Sequence, residues 1–161
     1  MSGGGTTSET AERVPVGVEP PDAEVEHEAH ELRRALALAA RRVRAERGAA
    51  DLPDPQFNVL VLLARHGVMT PGQLAERERV QPPSMTRTIT VLAGRGLVAK
   101  QENPADGRKV LVELTPAGRT EVTETKRRRD AWLAGRLAGL SAGDRACLAQ
   151  AVALLDRIAQ S

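Results

Sequence analysis

The chain has 161 residues, of which 23 are Lys or Arg and 21 are Asp or Glu, so its formal charge is +2 and its pI is about 9.2. That length fits one domain with a tail. A lone cysteine, Cys147, excludes an internal disulfide, and one cysteine with three scattered histidines does not provide the ligands of a structural zinc site. The sequence has no secretory signal pattern and no run of about 18 apolar residues, so we expect a cytoplasmic protein with no membrane partner.

The composition favours a mainly helical fold. Hydrophobic residues make up 41% of the chain, but Phe57 and Trp132 are the only aromatic ones, so Ala and Leu must fill the core. Charge is unevenly spread, with a balance of −7 over residues 1–31 and a basic remainder. A basic body favours a nucleic-acid partner, although a solvated Arg-rich surface explains the charge equally well.

The N-terminal part predicts an arm and two helices. Residues 1–22 are rich in Gly, Ser, Thr, Glu and Pro, which is typical of a disordered acidic arm. Residues 24–47 have apolar positions at spacings of three and four, which predicts an amphipathic helix that stops before Gly48. Asp54-Pro55 is a cap and first-turn pair for a second helix, whose apolar face is predicted to contain Phe57, Leu60, Val61 and Ala64.

The following segment predicts a helix-turn-helix. Thr70-Pro71-Gly72-Gln73 is a capping box for a short helix over residues 71–77, and Val80-Gln81 connects it to a helix opened by Pro82-Pro83. One side of this next helix is apolar, with Met85, Ile89 and Leu92. The opposite side is polar and basic, as expected of a recognition helix, with Ser84, Arg87, Thr88 and Arg95.

A hairpin is predicted directly after it. Residues 97–99 and 110–114 are β-prone, and the turn-forming segment 102–109 between them ends in Arg108-Lys109. A helix-turn-helix followed by a hairpin with a basic tip describes a winged helix, in which the tip lies along the DNA backbone or enters the minor groove.

The C-terminal part predicts two more helices. Thr115-Pro116 begins a long helix to about residue 137, on which residues 126–129 form a cationic turn that we expect to be exposed. A second capping box at Ser141 opens the last helix, whose apolar face is predicted to contain Cys147, Ala151, Leu154, Leu155 and Ile158. Because so small a chain cannot bury the stripes of its first and last helices alone, we expect a two-fold homodimer.

The segment from Thr70 to Arg119 resembles the winged-helix core of the multiple antibiotic resistance regulator (MarR) family. The motifs that carry the resemblance are Gln73-Leu74-Ala75, Ser84-Met85-Thr86-Arg87, Gly96-Leu97-Val98, Asp106-Gly107-Arg108 and Leu114-Thr115-Pro116-Ala117-Gly118. The fold class expected is mainly α, with a winged helix-turn-helix core, a small β-hairpin wing and flanking dimerisation helices. The DNA-binding lobe would span residues 52–115 of a domain over 23–161, with dimerisation helices at 24–47 and 116–160.

The resemblance implies a homodimeric transcription regulator, most simply a repressor, that binds a pseudo-palindromic site on double-stranded DNA and is released by a small-molecule effector of unknown identity. Two alternatives stay open: a regulator that activates or acts without an effector, and a winged helix that binds a protein partner. No paired nucleophile and base, phosphate-binding glycine loop or metal cluster is evident, so we expect no catalytic residue, no cofactor and no enzyme activity.

The expected DNA-binding residues lie on the recognition helix and the wing. Arg87 contacts either a base edge or a phosphate. Gln81 stands where the family often has Ser or Thr, so Pro82 and its neighbour must preset the turn. The resemblance makes Arg108 a minor-groove arginine and Asp106 its support, unless they only form an Asp-Gly turn. The remaining candidates are Ser84, Thr86, Thr90 and Lys109.

Two further features have structural interpretations that we prefer to functional ones. Cys147 falls on the apolar face of the last helix, so we predict a buried packing residue rather than a redox sensor. His27 and His30 are three residues apart on the first helix, but no third ligand is evident, so we expect a solvated pair and no metal.

Overall fold

The computed structural model describes residues 22–103 and 106–160, with backbone only for residues 103 and 106–109. The acidic arm predicted for residues 1–22 lies outside this part of the chain, except for Asp22. In chain order the elements are α1 (Ala23–Ala45), α2 (Asp54–His66), α3 (Pro71–Glu78), α4 (Pro82–Gly94), β1 (Val98–Asn103), β2 (Asp106–Leu114), α5 (Pro116–Ala138) and α6 (Ala142–Gln160).

Helix α1 begins in one compact unit, which ends at Ala37, and continues into a second, Leu38–Ser161. Its first turn contains Glu24 and Glu26, and its last turn contains Arg42 and Arg44. The helix dipole favours negative charge at the N-terminus and positive charge at the C-terminus, so both ends are stabilised. The helix ends two residues before the predicted position. None of its residues is buried, although Leu32 and Leu36 are among its large apolar side chains.

Helix α2 differs from the prediction at its start and on its buried face. Pro53 is the N-cap, and Asp54 is instead the first helical residue, with its carboxylate 3.3 Å from the Arg44 guanidinium. Ala64 is exposed and Val61 only half-buried. The face is displaced because α3, α4, α5 and β2 all contact α2, so its core side is set by tertiary packing; the buried residues are Phe57, Val59, Leu60 and Leu63.

One apolar core lies in the second unit. Leu60, Leu74, Leu92 and Val112 are fully buried at its centre. The remaining buried apolar residues come from the same helices, the hairpin, the start of α5 and the loops, namely Leu52, Phe57, Val59, Leu63, Met69, Ala75, Met85, Ile89, Leu97, Val98, Leu114 and Val122.

The hairpin is longer than predicted. Strands β1 and β2 are antiparallel, with Val98 opposite Leu114 and Glu102 opposite Val110. Asn103 then pairs with Asp106, so residues 107–109 interrupt the register within β2 and do not form a long open loop over 102–109. The strand pairing therefore extends to Asn103 and Asp106, which lie in the turn-forming segment that was predicted to be a loop. Met69 adds an isolated bridge to Val112, with N···O distances of 3.0 and 2.8 Å.

Helices α5 and α6 begin at the predicted caps. The Thr115 hydroxyl accepts a hydrogen bond from the Gly118 N–H at 3.0 Å, and the Ser141 hydroxyl accepts one from the Asp144 N–H at 3.1 Å. Helix α5 buries residues only up to Thr125, and α6 buries none. The prediction of a buried Cys147 is therefore wrong for this chain: the thiol is free and exposed, because the apolar stripe of α6 is not covered.

The cationic turn at residues 126–129 is only partly the exposed turn that we predicted. Arg127 and Arg128 are exposed and share Glu124, and the first of these hydrogen bonds is the larger reason why the pKa of Glu124 falls to about 2. Arg129 instead lies over the Phe57 ring, 4.5 Å from its centroid. Burial lowers the pKa of Arg129, against the attraction of nearby Asp54.

Truncation of the core should measure how much the fold depends on it. Leu60→Ala removes a side chain with no exposed surface, and a cavity of that kind costs about 2–5 kcal/mol of unfolding free energy. Val68→Ala is the matched control, because half of that side chain is exposed. Urea unfolding of both variants checks this, and equal midpoints would contradict the described core.

Candidate nucleic-acid interface

Helix α3 begins with the predicted capping box. The Thr70 hydroxyl accepts a hydrogen bond from the Gln73 N–H at 3.2 Å, and the Gln73 side-chain oxygen accepts one from the Thr70 N–H at 2.9 Å. Pro71 occupies the first turn, where the missing N–H has no helical partner to lose. Both bonds satisfy N–H groups that the start of a helix leaves open, so the first helix of the pair starts at a defined residue.

Three residues connect α3 to α4. Arg79 is left-handed, with φ 53°, a conformation usually taken by Gly, and its N–H reaches the carbonyls of Ala75 and Glu76. Gln81 is the N-cap of α4 and makes no side-chain cap bond, so Pro82-Pro83 starts that helix, as predicted. The sequence did not reveal the left-handed arginine, because no Gly or Asn marks it.

Helix α4 has one buried and one exposed side. Met85, Ile89 and Leu92 are at most 2% exposed and fix the rotation of the helix about its axis. Thr88 on the other side is half-buried. The six predicted contact residues at the start and along this side are all exposed, and they are Gln81, Pro82, Ser84, Thr86, Arg87 and Thr90.

The hydroxyl groups on this side are not equivalent. Thr86 donates to the Pro82 carbonyl at 3.0 Å, and Thr90 donates to the Thr86 carbonyl at 2.9 Å. Their hydrogens are therefore engaged within the helix, which leaves mainly acceptor capacity for a ligand. Ser84 makes no side-chain hydrogen bond within the described residues, so its hydroxyl remains able to donate.

Sequence reasoning missed Lys100, which lies on β1 beside α4. Its ammonium group donates to the Thr90 hydroxyl oxygen at 3.3 Å. Lys100 is opposite Val112 in the hairpin register and shares a strand face with Val98, and both of these residues are buried. Strand alternation contained this signal, since a residue two positions after a core residue lies on the core side.

A cleft of about 230 Å³ separates α4 from the hairpin. Thr86, Ile89 and Lys100 line one part of it, and Pro71 and Val110 the rest. The recognition helix and the base of the wing therefore border one recess that carries a cation.

The basic residues near α4 differ in their partners. Among the residues with described side chains, Arg87 has no ion pair or hydrogen bond, so its guanidinium is open to solvent and to a ligand. Arg95, which the sequence places on the polar side of this helix, donates to the Ala50 carbonyl at 2.9 Å. Arg77 lies 3.3 Å from the His66 ring. Arg87 is thus the basic side chain of α4 that is free for recognition.

The wing candidates Asp106, Arg108 and Lys109 are described by their backbone alone. Asp106 begins β2 opposite Asn103, and the other two lie in β2 where the register with β1 is interrupted. Asp106 and Gly107 both belong to β2.

Other kinds of site receive no support from the described part of the chain. No group of three or more His, Cys, Asp or Glu residues there could hold a metal ion. No helix there is both long and apolar enough to cross a membrane.

Sequence and structure comparisons agree on the relatives of this chain. A sequence model described as the MarR family matches residues 52–110. An HTH-type transcriptional regulator of Mycobacterium tuberculosis is 42% identical over 127 residues, covering 79% of this chain and 89% of that protein. A Pseudomonas aeruginosa structure, of a protein regarded as a transcriptional regulator, has 28% identity and a TM-score of 0.77, covering 87% of this chain and 99% of that chain. Bordetella bronchiseptica BpsR has 28% identity and a TM-score of 0.61, covering 88% and 99%.

The helix-turn-helix with its hairpin defines a winged helix-turn-helix DNA-binding protein. The mainly α fold class is confirmed. The chain belongs to the MarR family of transcriptional regulators. Regulators of this family are DNA-binding proteins rather than enzymes, and they act as dimers.

The cap of α3 provides a stability test of the helix-turn-helix. Thr70→Ala removes the oxygen that accepts from Gln73, and loss of such a cap costs about 1 kcal/mol of unfolding free energy. Thr123→Ala is the control, because its exposed hydroxyl donates only to the Arg119 carbonyl within α5. Urea unfolding of the two variants should separate them; equal loss would contradict the cap.

Proposed function

We propose that the chain is a homodimeric repressor that binds a pseudo-palindromic operator, with α4 of each protomer in the major groove. The observation that carries the proposal is the exposed side of α4, where Arg87 is open and the opposite side is locked in the core. Arg reads guanine O6 and N7 with two hydrogen bonds, and residues near the start of a recognition helix are the ones that reach base edges.

Further contacts extend this interface. Ser84 can donate to a phosphate, and Lys100 adds a positive charge beside Thr90. Arg108 is proposed to enter the minor groove with Asp106 as its support, and Lys109 to contact the backbone. The segment 52–115 is proposed as the DNA-binding lobe.

The uncovered C-terminal helices support a homodimer. Leu133 and Leu137 of α5 and Leu148, Val152 and Leu155 of α6 line an apolar groove of about 370 Å³. A soluble monomer rarely leaves a large contiguous apolar surface uncovered. A two-fold copy would cover it and would present two α4 helices to half-sites about 34 Å apart, one helical turn of DNA.

Release by a small anionic molecule is the second part of the proposal. A groove of about 550 Å³ between α2 and α5 is lined by Arg119, Lys126 and Arg127, with Asp130 as its one acid among the described lining residues. Glu124 already pairs with Arg127, so the other two cations are the ones that remain for a ligand. DNA binding by BpsR is regulated by 6-hydroxynicotinic acid, a small carboxylate.

The direct test is fluorescence anisotropy of the full chain with labelled duplexes. The probes are the DNA upstream of its own gene, a duplex enriched from a random pool, and a scrambled duplex. We expect selective binding that weakens steeply with salt, by a log–log slope of about −0.9 per phosphate contacted. No binding at low salt would favour the alternative in which the winged helix binds a protein, and selective binding unaffected by small carboxylates would favour a regulator without such an effector.

Arg87→Ala separates the two contacts that this residue can make. If it reads a base, operator binding should weaken by about 1–3 kcal/mol and discrimination at one base pair should relax. If it contacts a phosphate, affinity should fall equally on all sequences. Arg157→Ala on α6 is the control, because that residue is exposed and does not line the apolar groove of α5 and α6. An unchanged operator affinity of Arg87→Ala would contradict the proposed interface.

Arg108→Ala tests the wing. A minor-groove arginine is favoured where the groove is narrow, so the variant should lose affinity mainly for operators with A·T-rich flanks. Anisotropy with A·T-rich and G·C-rich flanks measures this difference. The role is contradicted if the variant and the unchanged protein show the same flank preference.

A further inference from the structure

The segment between α1 and α2 makes a set of contacts that neither the helix-turn-helix nor the wing explains. A single stripe of α5, with residues at spacings of four, lies along it: Glu121, Thr125 and Arg129. Residues four apart on a helix share a face, so these three side chains can bind one extended segment.

The first end of the segment is held by Arg129. Its guanidinium donates to the Glu46 carbonyl at 3.1 Å and lies 3.5 Å from the Arg44 carbonyl and from Asp54. The carbonyls at the C-terminal end of α1 therefore gain a charged donor, and the Phe57 ring packs against the guanidinium.

The other end is held by hydrogen bonds to the backbone N–H and carbonyl of Ala50. Its N–H donates to the Glu121 carboxylate at 3.1 Å, and its carbonyl accepts from the Arg95 guanidinium at 2.9 Å. Glu121 is 6% exposed, and its second oxygen accepts from Thr125 at 3.3 Å. Arg95 is the C-cap of α4. Ala50 thus joins a buried carboxylate of α5 to the end of the recognition helix.

The fit around this peptide is close. A Cβ added at Gly48 would lie 2.2 Å from a Glu121 oxygen and 2.4 Å from the Thr125 hydroxyl, so the carboxylate would have to move. Gly48 does not have the left-handed φ that only glycine adopts readily, so this contact, and not the backbone, excludes a side chain.

We propose that Glu121, Ala50 and Arg95 form a positioning relay that sets the end of α4 relative to α5, and so tunes operator affinity without contacting DNA. This inference rests on the proposed operator binding by α4. In a dimer whose α5 helices belong to the subunit interface, the relay would link the position of that interface to the spacing of the two recognition helices. The deeply buried carboxylate cannot itself reach a phosphate.

The variants are chosen to break the relay at separate points. Gly48→Ala displaces the Glu121 carboxylate without changing any charge, and Arg95→Ala removes the donor to Ala50. Gly135→Ala is the matched control on α5, because a Cβ there meets nothing within 4 Å. The unchanged protein, both single variants, the double variant and the control are compared as full-length chains on an operator duplex enriched from a random pool and on a scrambled duplex.

We expect each single variant to bind the operator about three- to tenfold more weakly, because mutations along a coupling network change affinity by this order. The double variant should be no weaker than the weaker single one, since both break the same relay. Thermal unfolding, followed by the fluorescence of Trp132, should show that each variant is folded. The oligomeric state of each variant should be the same as that of the unchanged protein. The scrambled duplex should be bound as before.

Three results would overturn the relay. Operator affinity of Gly48→Ala equal to that of Gly135→Ala is the first, and multiplying effects in the double variant are the second. The third is a salt slope reduced by about 0.9 in Arg95→Ala, which would make Arg95 a phosphate contact. If Gly48→Ala does not fold, Glu121→Gln replaces it, because the amide keeps one acceptor oxygen but cannot serve Ala50 and Thr125 as the carboxylate does. Failure of the unchanged protein to bind any duplex selectively would instead contradict the proposed function.

Discussion

The burial of one side of α4 is the constraint on which the rest of this structure depends. Met85, Ile89 and Leu92 lie in the core at spacings of four and three, so the helix cannot rotate without exposing them or burying Arg87. Burying an unpaired guanidinium costs far more than the fold could recover from apolar contacts. The polar side of α4 is therefore exposed as a consequence of packing.

The two ends of α4 are fixed by different means. At the start, the left-handed Arg79 and the prolines define where the helix begins, with no side-chain cap. At the end, Gly96 has φ 70°, and its carbonyl accepts from the Thr115 hydroxyl at 2.7 Å. A Cβ on Gly118 would lie 2.1 Å from the Leu97 carbonyl oxygen, so the first turn of α5 packs directly on this junction. A recognition helix held at both ends keeps its base-contacting residues in a fixed geometry, which limits the entropy lost on binding DNA.

Local signals predicted much of this arrangement. The caps at Thr70 and Thr115 and the apolar stripe of α4 depend on residues within a turn or two, and the structure confirms them. On the predicted face of α2, Phe57 and Leu60 are buried as expected, but Val61 and Ala64 are not, because four elements contact that helix. The predicted length of the hairpin was wrong because strand pairing includes turn-forming residues.

The contacts that support the candidate site from the α1–α2 segment could not be predicted from the sequence, because they join distant residues. Ala50 and Glu121 are 71 positions apart, and Arg129 is 83 positions from Glu46. No sequence motif marks either pair. Arg95 and Arg129, which bind backbone carbonyls of the α1–α2 segment, look like ordinary surface charges in the sequence. The position of Lys100 on the core side of β1 could have been predicted from strand alternation. The exposure of Cys147 could not, because it depends on what covers α6.

The most direct measurement is dimethyl sulfate protection of an operator duplex by the full chain, because it reports guanine N7 in the major groove and adenine N3 in the minor groove separately. We predict guanine protection at two positions about one helical turn apart, with α4 of each protomer at one of them. Adenine protection beside each half-site would mark the wing. Selective binding with only adenine N3 protected, or with a single protected guanine cluster, would contradict an α4 pair in the major groove.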